Sequence, residues 1–404
     1  MPTRKQKKLL LLGGLRYLIP VIKSAHELGI YVITCDYRPD NIAHKYSDEF
    51  HNISIIDKEA VLKLAKELEI DGIMSFAVDP GVLTAAYVCD KLGLPSSGSY
   101  ESIKTLQNKA LFRKFLCDNN FNVPKAKGYT KIENGLKDIT YFNWPVIVKP
   151  TDSAGSKGVT KVSNPIELEK SIKNALYYSP SKQFIIEEFI EQIGFASDSD
   201  CFSVNGKLVY FTLSNQRFDI NAVNPYTPAA FSWPSTMSKN HQDELKNEIQ
   251  RLLTLLNMKT SIYNIEARIG KDYKPYIMEV SPRGGGNRLA EMLHYATGFN
   301  LIKNSVLAAV GKKIDNIVSP KYIDYWGECI LHSNKEGNFQ RIEINKAIQN
   351  YIYEIDLWVN KGDYIKTFTG ANETIGTIVI NCDNKNKLEE IITNCKKWMK
   401  VVVN

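Results

Sequence analysis

A lysine followed by small residues stands at the end of an apolar stretch, in Trp144-Pro-Val-Ile-Val-Lys149 and the segment 151–158. Backbone N–H groups of such a loop can approach phosphate oxygens closely, and a lysine ammonium adds a point charge. The spacing GxxxxGK[ST] is absent, so the segment is not a P-loop. Two interpretations stay open: a phosphate-binding loop, or an ordinary hairpin whose lysine lies at a solvated edge.

An apolar run that ends in acids follows, Phe184-Ile-Ile-Glu-Glu-Phe-Ile-Glu191. It fits an edge strand that is protected by charge. It also fits a hinge whose backbone pairs with adenine while a carboxylate accepts the adenine amino group.

Two further acids, Glu266 and Glu279, lie in neighbouring apolar stretches, and Arg283 follows the second one before three glycines. A buried carboxylate without a partner costs several kcal/mol. The two acids therefore either share a cation such as Mg²⁺, which takes hard oxygen ligands and substrate phosphates, or pair with Arg283. In the first case Arg283 is placed to stabilise an anionic transition state.

The elements that position these residues begin with alternating strands and helices. The pattern predicts strands at 8–12, 30–36 and 71–77 and helices at 18–28, 60–68 and 81–92, which implies a doubly wound parallel sheet of the α/β class. Such sheets bind ligands where their strands end. Gly13, Gly14, Asp36 and Asp79 fall there, although Gly13-Gly14 also fits a tight turn and is not the dinucleotide fingerprint GxGxxG.

Further along, the periodicity predicts a helix over 102–119 and a β-rich stretch with one helix to about Glu191. It then predicts a long loop at 216–237, a helix at 244–256, strands at 262–269 and 276–280, and a tail of short strands closed by a helix over 385–399. Arg217 begins the predicted loop. It is either a surface arginine or a ligand for a substrate carboxylate.

Composition narrows the class of protein. The 404 residues are 44% hydrophobic and carry a net charge of +7 that is spread along the chain, which argues against a nucleic-acid partner. No apolar run reaches the roughly 18 residues of a membrane span. The seven widely spaced cysteines predict neither disulfides nor a zinc site and fit a reducing cytoplasm.

Taken in order, a lysine-bearing helix, the strand–Lys149–small loop, the acidic hinge and the acid pair ending in Arg283 resemble the ATP-grasp superfamily. The pattern is similar to carboxylate–amine ligases and to the biotin carboxylase and carbamoyl-phosphate synthase group, and the tail resembles L-amino-acid-ligase-like members. The resemblance implies a Rossmann-like domain at 1–100, an ATP-grasp domain at 101–320 with a lid at about 125–190, and a C-terminal α/β domain at 321–404.

The resemblance also implies residue roles. It assigns ATP to three groups of residues: Lys109 and Lys149; the loop Ser153, Ala154, Gly155, Ser156 and Gly158; and the hinge Glu187, Glu188, Phe189, Ile190 and Glu191. It assigns the metal to Glu266, Glu279 and Ser281, catalysis to Arg283, Lys149 and Asn287, and substrate contacts to Gly13, Gly14, Asp79 and Arg217. Ser281 replaces the asparagine of many members, and the ribose-binding glutamate is missing, with Glu191 or Asp198 as its substitute.

The implied reaction uses ATP and Mg²⁺, with Mn²⁺ as an alternative ion. A carboxylate becomes an acyl phosphate and is passed to an amine, for which an amino acid is one candidate. A bicarbonate-activating carboxylase component and a non-catalytic ATP-binding module are the alternatives. Small-molecule substrates, a homodimer, a cytoplasmic location, and no nucleic-acid or membrane partner complete the expectation.

Overall fold

The computed structural model describes residues 6–153 and 155–404. It begins with a parallel sheet of order β3-β2-β1-β4, flanked by helices. Its elements are β1 (Lys8–Leu12), α1 (Ile19–Glu27), β2 (Tyr31–Cys35), β3 (Glu49–His51), α2 (Lys58–Glu67), β4 (Gly72–Ser75) and α3 (Asp79–Leu92). The four leucines of β1 are fully buried, as expected for a strand covered on both faces. The predicted parallel sheet is confirmed; β3 is too short for a periodic signal.

Two helices, α4 (Tyr100–Gln107) and α5 (Lys109–Asp118), connect this sheet to the rest of the molecule. The prediction of one helix over 102–119 is wrong. Asn108 has extended backbone angles, and its side chain accepts hydrogen bonds from the amides of Ala110 and Leu111. An asparagine in this position ends one helix and caps the next.

A small antiparallel sheet of order β5-β8-β6-β7 corresponds to the predicted lid. Its elements are β5 (Ala126–Tyr129), α6 (Ile132–Lys137), β6 (Val146–Pro150), β7 (Thr160–Val162), α7 (Leu168–Tyr178) and β8 (Phe184–Glu188). Val146, Val148, Ile172 and Phe184 belong to a hydrophobic core of its own. The stretch holds two α-helices, so the prediction of one was wrong.

The remaining elements follow in chain order: β9 (Gln192–Val204), β10 (Lys207–Tyr210), β11 (Asn215–Phe218), β12 (Pro228–Trp233), α8 (Lys239–Leu255), β13 (Ser261–Gly270), β14 (Pro275–Ser281), α9 (Leu289–Thr297), α10 (Leu301–Ala309), β15 (Tyr325–Leu331), β16 (Gly337–Ile344), β17 (Ile352–Leu357), β18 (Tyr364–Ile365), β19 (Gly376–Cys382), α11 (Lys385–Thr393), α12 (Cys395–Trp398) and β20 (Met399–Val403). None of the helices in the described ranges is long and apolar enough to cross a membrane.

One nine-stranded sheet dominates this part, in the order β14-β13-β9-β11-β12-β15-β19-β17, with β10 paired to β9. It runs without a break across the predicted boundary at residue 320, because β12 pairs with β15. The division into domains at 1–100, 101–320 and 321–404 stays a prediction.

Three further expectations are corrected by the structure. The stretch 216–237 is not one long loop, since β11 and β12 pair within it; its prolines and asparagines hide the strand pattern. The tail does not close with a helix over 385–399, because the chain turns at Asn394 and ends in β20, which pairs with β16. Cys329 and Cys395, 66 positions apart, form a disulfide that their spacing does not reveal, because it depends on the packing of α11 against β15.

Candidate active site

A buried cluster of three charges lies where the small sheet meets α5. Lys149 on β6 and Glu187 on β8 lie diagonally across the two strands, with Lys149 Nζ 2.5 Å from Glu187 Oε1. Arg113 of α5 donates from Nε to the other oxygen at 2.9 Å. Burial alone would raise the pKa of Glu187, but the Arg113 and Lys149 charges outweigh burial and lower the pKa to about 2. Burial also lowers the pKa of Lys149.

This cluster constrains the predicted adenine contact. Both oxygens of Glu187 already accept hydrogen bonds, so an adenine amino group would share an oxygen with Lys149 or Arg113. Arg113 carried no signal in the sequence, where it is one polar position of an amphipathic helix. Its side chain is 3% exposed, so it belongs to this buried cluster of charges and not to the surface.

Lys109 joins the phosphate loop to the acidic strands. It is the first residue of α5, its amide donates to the carbonyl of Thr151, and its Nζ donates to the carbonyl of Ser153 at 3.1 Å. The same Nζ lies 3.3 Å from Glu279 Oε2. One ammonium group therefore faces both the loop and the predicted metal strand.

The loop itself is held by contacts from another part of the chain. Ser156 donates from its hydroxyl to the carbonyl of Tyr226, and the Asn224 amide group donates to the carbonyl of Ser156 at 3.2 Å. Gly155 and Gly158 have positive φ, and a side chain at Gly158 would press on Pro150 and Tyr178. Ala154 lies outside the described residues. Asn224 and Tyr226 were not predicted.

The predicted hinge begins at the end of β8, and its glutamates contact different partners. Glu188 accepts from the amide of Asn143 at 2.8 Å, and the amide of Phe189 donates to the carbonyl of Pro145. Ile190 is half-buried, whereas Glu191 pairs with Lys271 at the surface. The adenine and ribose roles of this segment stay predictions.

Three carboxylates form a row across the nine-stranded sheet. Glu266 on β13 lies directly opposite Glu279 on β14 and directly opposite Asp198 on β9, so all three side chains point to one face. Arg268 donates to Glu266 at 2.9 Å. Within the described ranges, no three acidic, histidine or cysteine side chains are already grouped at metal-binding geometry.

A second row lies two residues further along the same strands and on the same face. It contains Asp200, Asn264 and Ser281. Asp200 is fully buried and accepts from the amide of Gly285 at 2.9 Å. Burial raises the pKa of Asp200 to about 7; burial and the nearby Glu266 raise the pKa of Asp198 to about 8. Sequence reasoning missed Asp200, although its period-2 spacing from Asp198 on a strand was a usable signal.

The donor set fits a magnesium ion. Carboxylate oxygens are the ligands that Mg²⁺ takes beside substrate phosphates. After burial, the Glu266 charge is the next cause that raises the pKa of Asp198, and a divalent cation between these carboxylates would offset that repulsion. Glu266 and Glu279, the predicted ligands, lie on that face together.

Arg283 is held by Asp79, a residue of the helix that follows β4. Its Nε and Nη2 donate to the two oxygens of Asp79, the first residue of α3, at 2.8 Å each. Its Nη1 donates to Asn264 Oδ1 at 3.2 Å. Ser281 also donates to Asp79 and accepts from Gln107. Asp79, predicted to contact substrate, thus holds the predicted catalytic arginine.

The other predicted substrate residues have different surroundings. A side chain at Gly13 would meet Val78, and one at Gly14 would meet His44, so both glycines permit a close strand-to-helix turn. Asn287, with φ of 50°, lies in the turn before α9.

Arg217 does not begin a loop, since it lies on β11. Its Nη2 is 2.5 Å from Glu389 on α11, and its guanidinium lies over the ring of Phe195. It is not the surface arginine that was one of its two interpretations.

Comparisons with known proteins agree with this geometry. The family model described as "ATP-grasp domain" matches residues 142–291, and that described as "ATP-grasp N-terminal domain" matches residues 22–96. The carbamoyl phosphate synthase large chain of Thermotoga neapolitana is 24% identical over 339 residues, which is 80% of this chain and 30% of that protein. This chain therefore spans less than a third of the length of that relative.

Solved structures share the fold across the chain. The L-amino acid ligase of Bacillus licheniformis superposes with a TM-score of 0.82 at 18% identity, over 100% of both chains. The biotin carboxylase domain of the Hydrogenobacter thermophilus 2-oxoglutarate carboxylase, in complex with MgADP and bicarbonate, gives 0.74 at 15% identity, over 99% of this chain and 92% of that one. With two family models that together match more than half of its residues, the chain belongs to the ATP-grasp superfamily.

Proposed function

We propose that this chain is an ADP-forming ligase that converts a carboxylate into an acyl phosphate with ATP and couples it to an amine. The observation that carries the proposal is the position of Lys109. Its ammonium contacts the phosphate loop at Ser153 and the acidic strand at Glu279. Phosphates bound at the loop would therefore lie next to a metal ion bound at Glu279.

In the proposed site, Lys109, Lys149 and the amides of the loop 153–158 bind the phosphates. Glu266 and Glu279 would hold Mg²⁺, which neutralises charge on the phosphates when bound. The lid, residues 125–190, covers the nucleotide, and the hinge 187–191 contacts adenine. Positioning and charge neutralisation supply most of the acceleration in such phosphoryl transfers.

The proposed reaction has two steps. A carboxylate oxygen of the substrate attacks the γ-phosphorus, the bond to the β–γ bridging oxygen breaks, and ADP leaves. The amine nitrogen then attacks the carbonyl carbon of the acyl phosphate, loses a proton and displaces phosphate. Arg283, held by Asp79, is placed to stabilise the charge that develops in both steps. The closed lid excludes water, which would otherwise hydrolyse the acyl phosphate.

The test is magnesium-dependent ADP release from ATP with pools of carboxylates and amines. Lys149→Ala should abolish release, whereas Lys173→Ala, which removes an exposed ammonium of α7, should keep it. Release that needs both a carboxylate and an amine supports the ligase. Near-normal release by Lys149→Ala would contradict the site, and release with bicarbonate alone would favour a carboxylase component.

A further inference from the structure

Two arginines at the carboxyl edge of the parallel sheet differ from the other arginines of the chain. Among the residues that the structure describes, Arg16 and Arg38 have no carboxylate within ion-pair distance. Every other described arginine has one: Arg113, Arg217, Arg251, Arg268, Arg283, Arg288 and Arg341. The sequence places Arg16 after β1 and Arg38 after β2, so the two unpaired cations belong to one edge of one sheet.

The two loops that carry these arginines are joined to each other. Strands β1 and β2 are parallel neighbours, and the amide of Gly13 donates to the carbonyl of Cys35 at 2.8 Å where both strands end. The short turn Arg16–Leu18 packs against the turn Ile42–Lys45, and the amide of Ala43 donates to the carbonyl of Gly14 at 3.1 Å. Parallel sheets bind their ligands at this edge.

Arg16 is half-buried against an aromatic ring. Its Cζ lies 5.6 Å from the centroid of the Trp358 ring, and the indole N–H of Trp358 donates to Asp356 at 2.7 Å, which fixes the ring. No N–H group of Arg16 has a hydrogen-bond partner in the described part of the chain. A guanidinium that stacks on an aromatic ring keeps the donors in its own plane for a ligand.

Arg38 adds a second, exposed guanidinium to the same cluster. Its Nε donates to the hydroxyl of Tyr37 at 3.0 Å. The acid nearest in sequence on the strand side, Asp36, is buried and accepts from the side chain of Asn41 at 2.9 Å and from the backbone amide of Arg38. It pairs with neither guanidinium, so the cluster attracts an anion.

This cluster lies beside the arginine that is placed at the acyl phosphate in the proposed reaction. The strand order β2-β1-β4 puts the two unpaired arginines and Asp79 after three consecutive strands, and Asp79 holds Arg283. A side chain at Gly13 would lie 2.9 Å from Val78, the residue before Asp79, so the turns after β1 and β4 are in close contact.

We infer that Arg16 and Arg38 bind an anionic group, a carboxylate or a phosphate, at the far end of the amine substrate. The N–H groups of a guanidinium match the oxygens of either anion. The contact leaves the amine nitrogen free and turns it towards the acyl phosphate at Arg283. The inference rests on the proposed ligase function, because it assigns the class of the second substrate.

The kinetic test uses three amines that differ only at their far end: ethanolamine, β-alanine and O-phosphoethanolamine. In wild type, β-alanine or O-phosphoethanolamine should have a KM at least about tenfold below that of ethanolamine, and the better one identifies the anion. Arg16→Met, which keeps an apolar contact with Trp358, should remove this difference and leave the KM for ethanolamine unchanged. Arg16→Lys should restore part of it, and Arg341→Met, an exposed arginine on β16, is the control.

Two results of this test would overturn the inference. The first is a ratio of KM values between charged and uncharged amines that is the same in wild type and Arg16→Met. The second is a rise in the KM for the carboxylate substrate in Arg16→Met without a rise for the charged amine, because the anionic group would then belong to the other substrate.

A labelling measurement separates this inference from the ligase proposal. Phenylglyoxal modifies guanidinium groups, and mass spectrometry reports the rate at each arginine. Sodium phosphate or sodium acetate, compared with sodium chloride at equal ionic strength, should slow labelling of Arg16 several-fold in a saturable manner and leave labelling of Arg341 unchanged. Equal effects at both arginines would overturn the anion site. Absence of ADP release with every carboxylate and amine would refute the ligase, while the labelling rates would still decide whether Arg16 binds an anion.

Discussion

Asp79 and Arg283 lie 204 positions apart and form a two-point ion pair between the first residue of α3 and the segment after β14. Burial would raise the pKa of Asp79, but the Arg283 guanidinium lowers it below its ordinary value, so the carboxylate stays ionised. Asp79 fixes where the Arg283 guanidinium points, so in the proposed reaction it would act through Arg283.

Asp79→Asn should lower kcat by roughly 100-fold, because a small displacement of a positioned charge costs about that factor. The KM for ATP should change little, since the nucleotide contacts lie elsewhere. Steady-state kinetics measures the split, and Asp79→Glu should recover part of kcat. Asp118→Asn, which removes an exposed ion-pair partner on α5, is the control. A raised KM for ATP with normal kcat would contradict the positioning role.

Glu328 gives a pH dependence of stability whose sign can be worked out. Burial raises its pKa from 4.5 to about 8, and Tyr17, Arg288, Glu291, Glu354 and Thr377 are the groups around it. Between about pH 5 and pH 8 the folded protein holds a proton that the unfolded chain has released. The free energy of unfolding therefore falls as the pH rises through this range.

Glu328→Gln should make this fall shallower and should be more stable than wild type at about pH 8. The free energy of unfolding of the variant should still fall somewhat with pH, because burial also raises the pKa of Glu291. Urea unfolding between about pH 5 and pH 8 measures the slopes, with Glu390→Gln as the surface control. Equal slopes for wild type and Glu328→Gln would show that Glu328 is ionised throughout.

At the scale of residues, the residue types and their spacing in the sequence predicted candidate site residues on strands next to glycine-rich turns. Glu266 and Glu279 were predicted as a pair, and the register places them directly opposite each other. Asp200 was missed although its period-2 spacing from Asp198 was a usable signal. Arg113 was missed because its importance arises from its contact with Glu187, 74 positions away. No local pattern reports such contacts.

At the scale of elements, Asn108 places Lys109 at the beginning of α5. Asn108→Ala removes the two capping hydrogen bonds and should lower the free energy of unfolding by about 1 kcal/mol. It should also weaken binding of a non-hydrolysable ATP analogue several-fold, because the ammonium of Lys109 is positioned by this turn. Urea unfolding and a fluorescence titration measure the two effects.

Asn384→Ala is a matched control, since Asn384 caps α11 with two hydrogen bonds of the same kind, to the amides of Asn386 and Lys387. It should cost a similar free energy of unfolding and leave nucleotide affinity unchanged. Equal losses of affinity in both variants would show that general destabilisation, and not the position of Lys109, explains the effect.

The elements that the sequence predicted well are those with a continuous apolar run or a strong hydrophobic period. The strand at 8–12 and the helices with apolar residues every three or four positions appear within a few residues of expectation. Strands β11 and β12 did not have this period. Asn215 is buried and its amide group donates to Ser232, so this pair of strands uses polar side chains inside the molecule. Burial of polar groups cannot be seen from alternation alone.

At the scale of the whole molecule, the phosphate loop is joined to two distant segments through one side chain. The Asn224 amide group donates to the carbonyl of Ser156 in the loop and to the carbonyl of Thr369, which lies between β18 and β19 in the chain. Ser156 also donates to the carbonyl of Tyr226. These hydrogen bonds connect the small sheet with the nine-stranded sheet over the place proposed for the phosphates.

Asn224→Ala should loosen the loop and expose the peptide bond after Lys157 to trypsin, because local opening governs cleavage of such a loop. Cleavage at Lys157 should be several-fold faster than in wild type, and a non-hydrolysable ATP analogue with magnesium should slow it in both proteins, less so in the variant. Mass spectrometry of the fragments identifies the site. Asn334→Ala, which removes hydrogen bonds to Asp219 and Asn221 in the same connecting segment but none to the loop, is the control. Equal cleavage rates in wild type and Asn224→Ala would mean that the loop depends on its own backbone alone, and closure of the lid would then need another attachment.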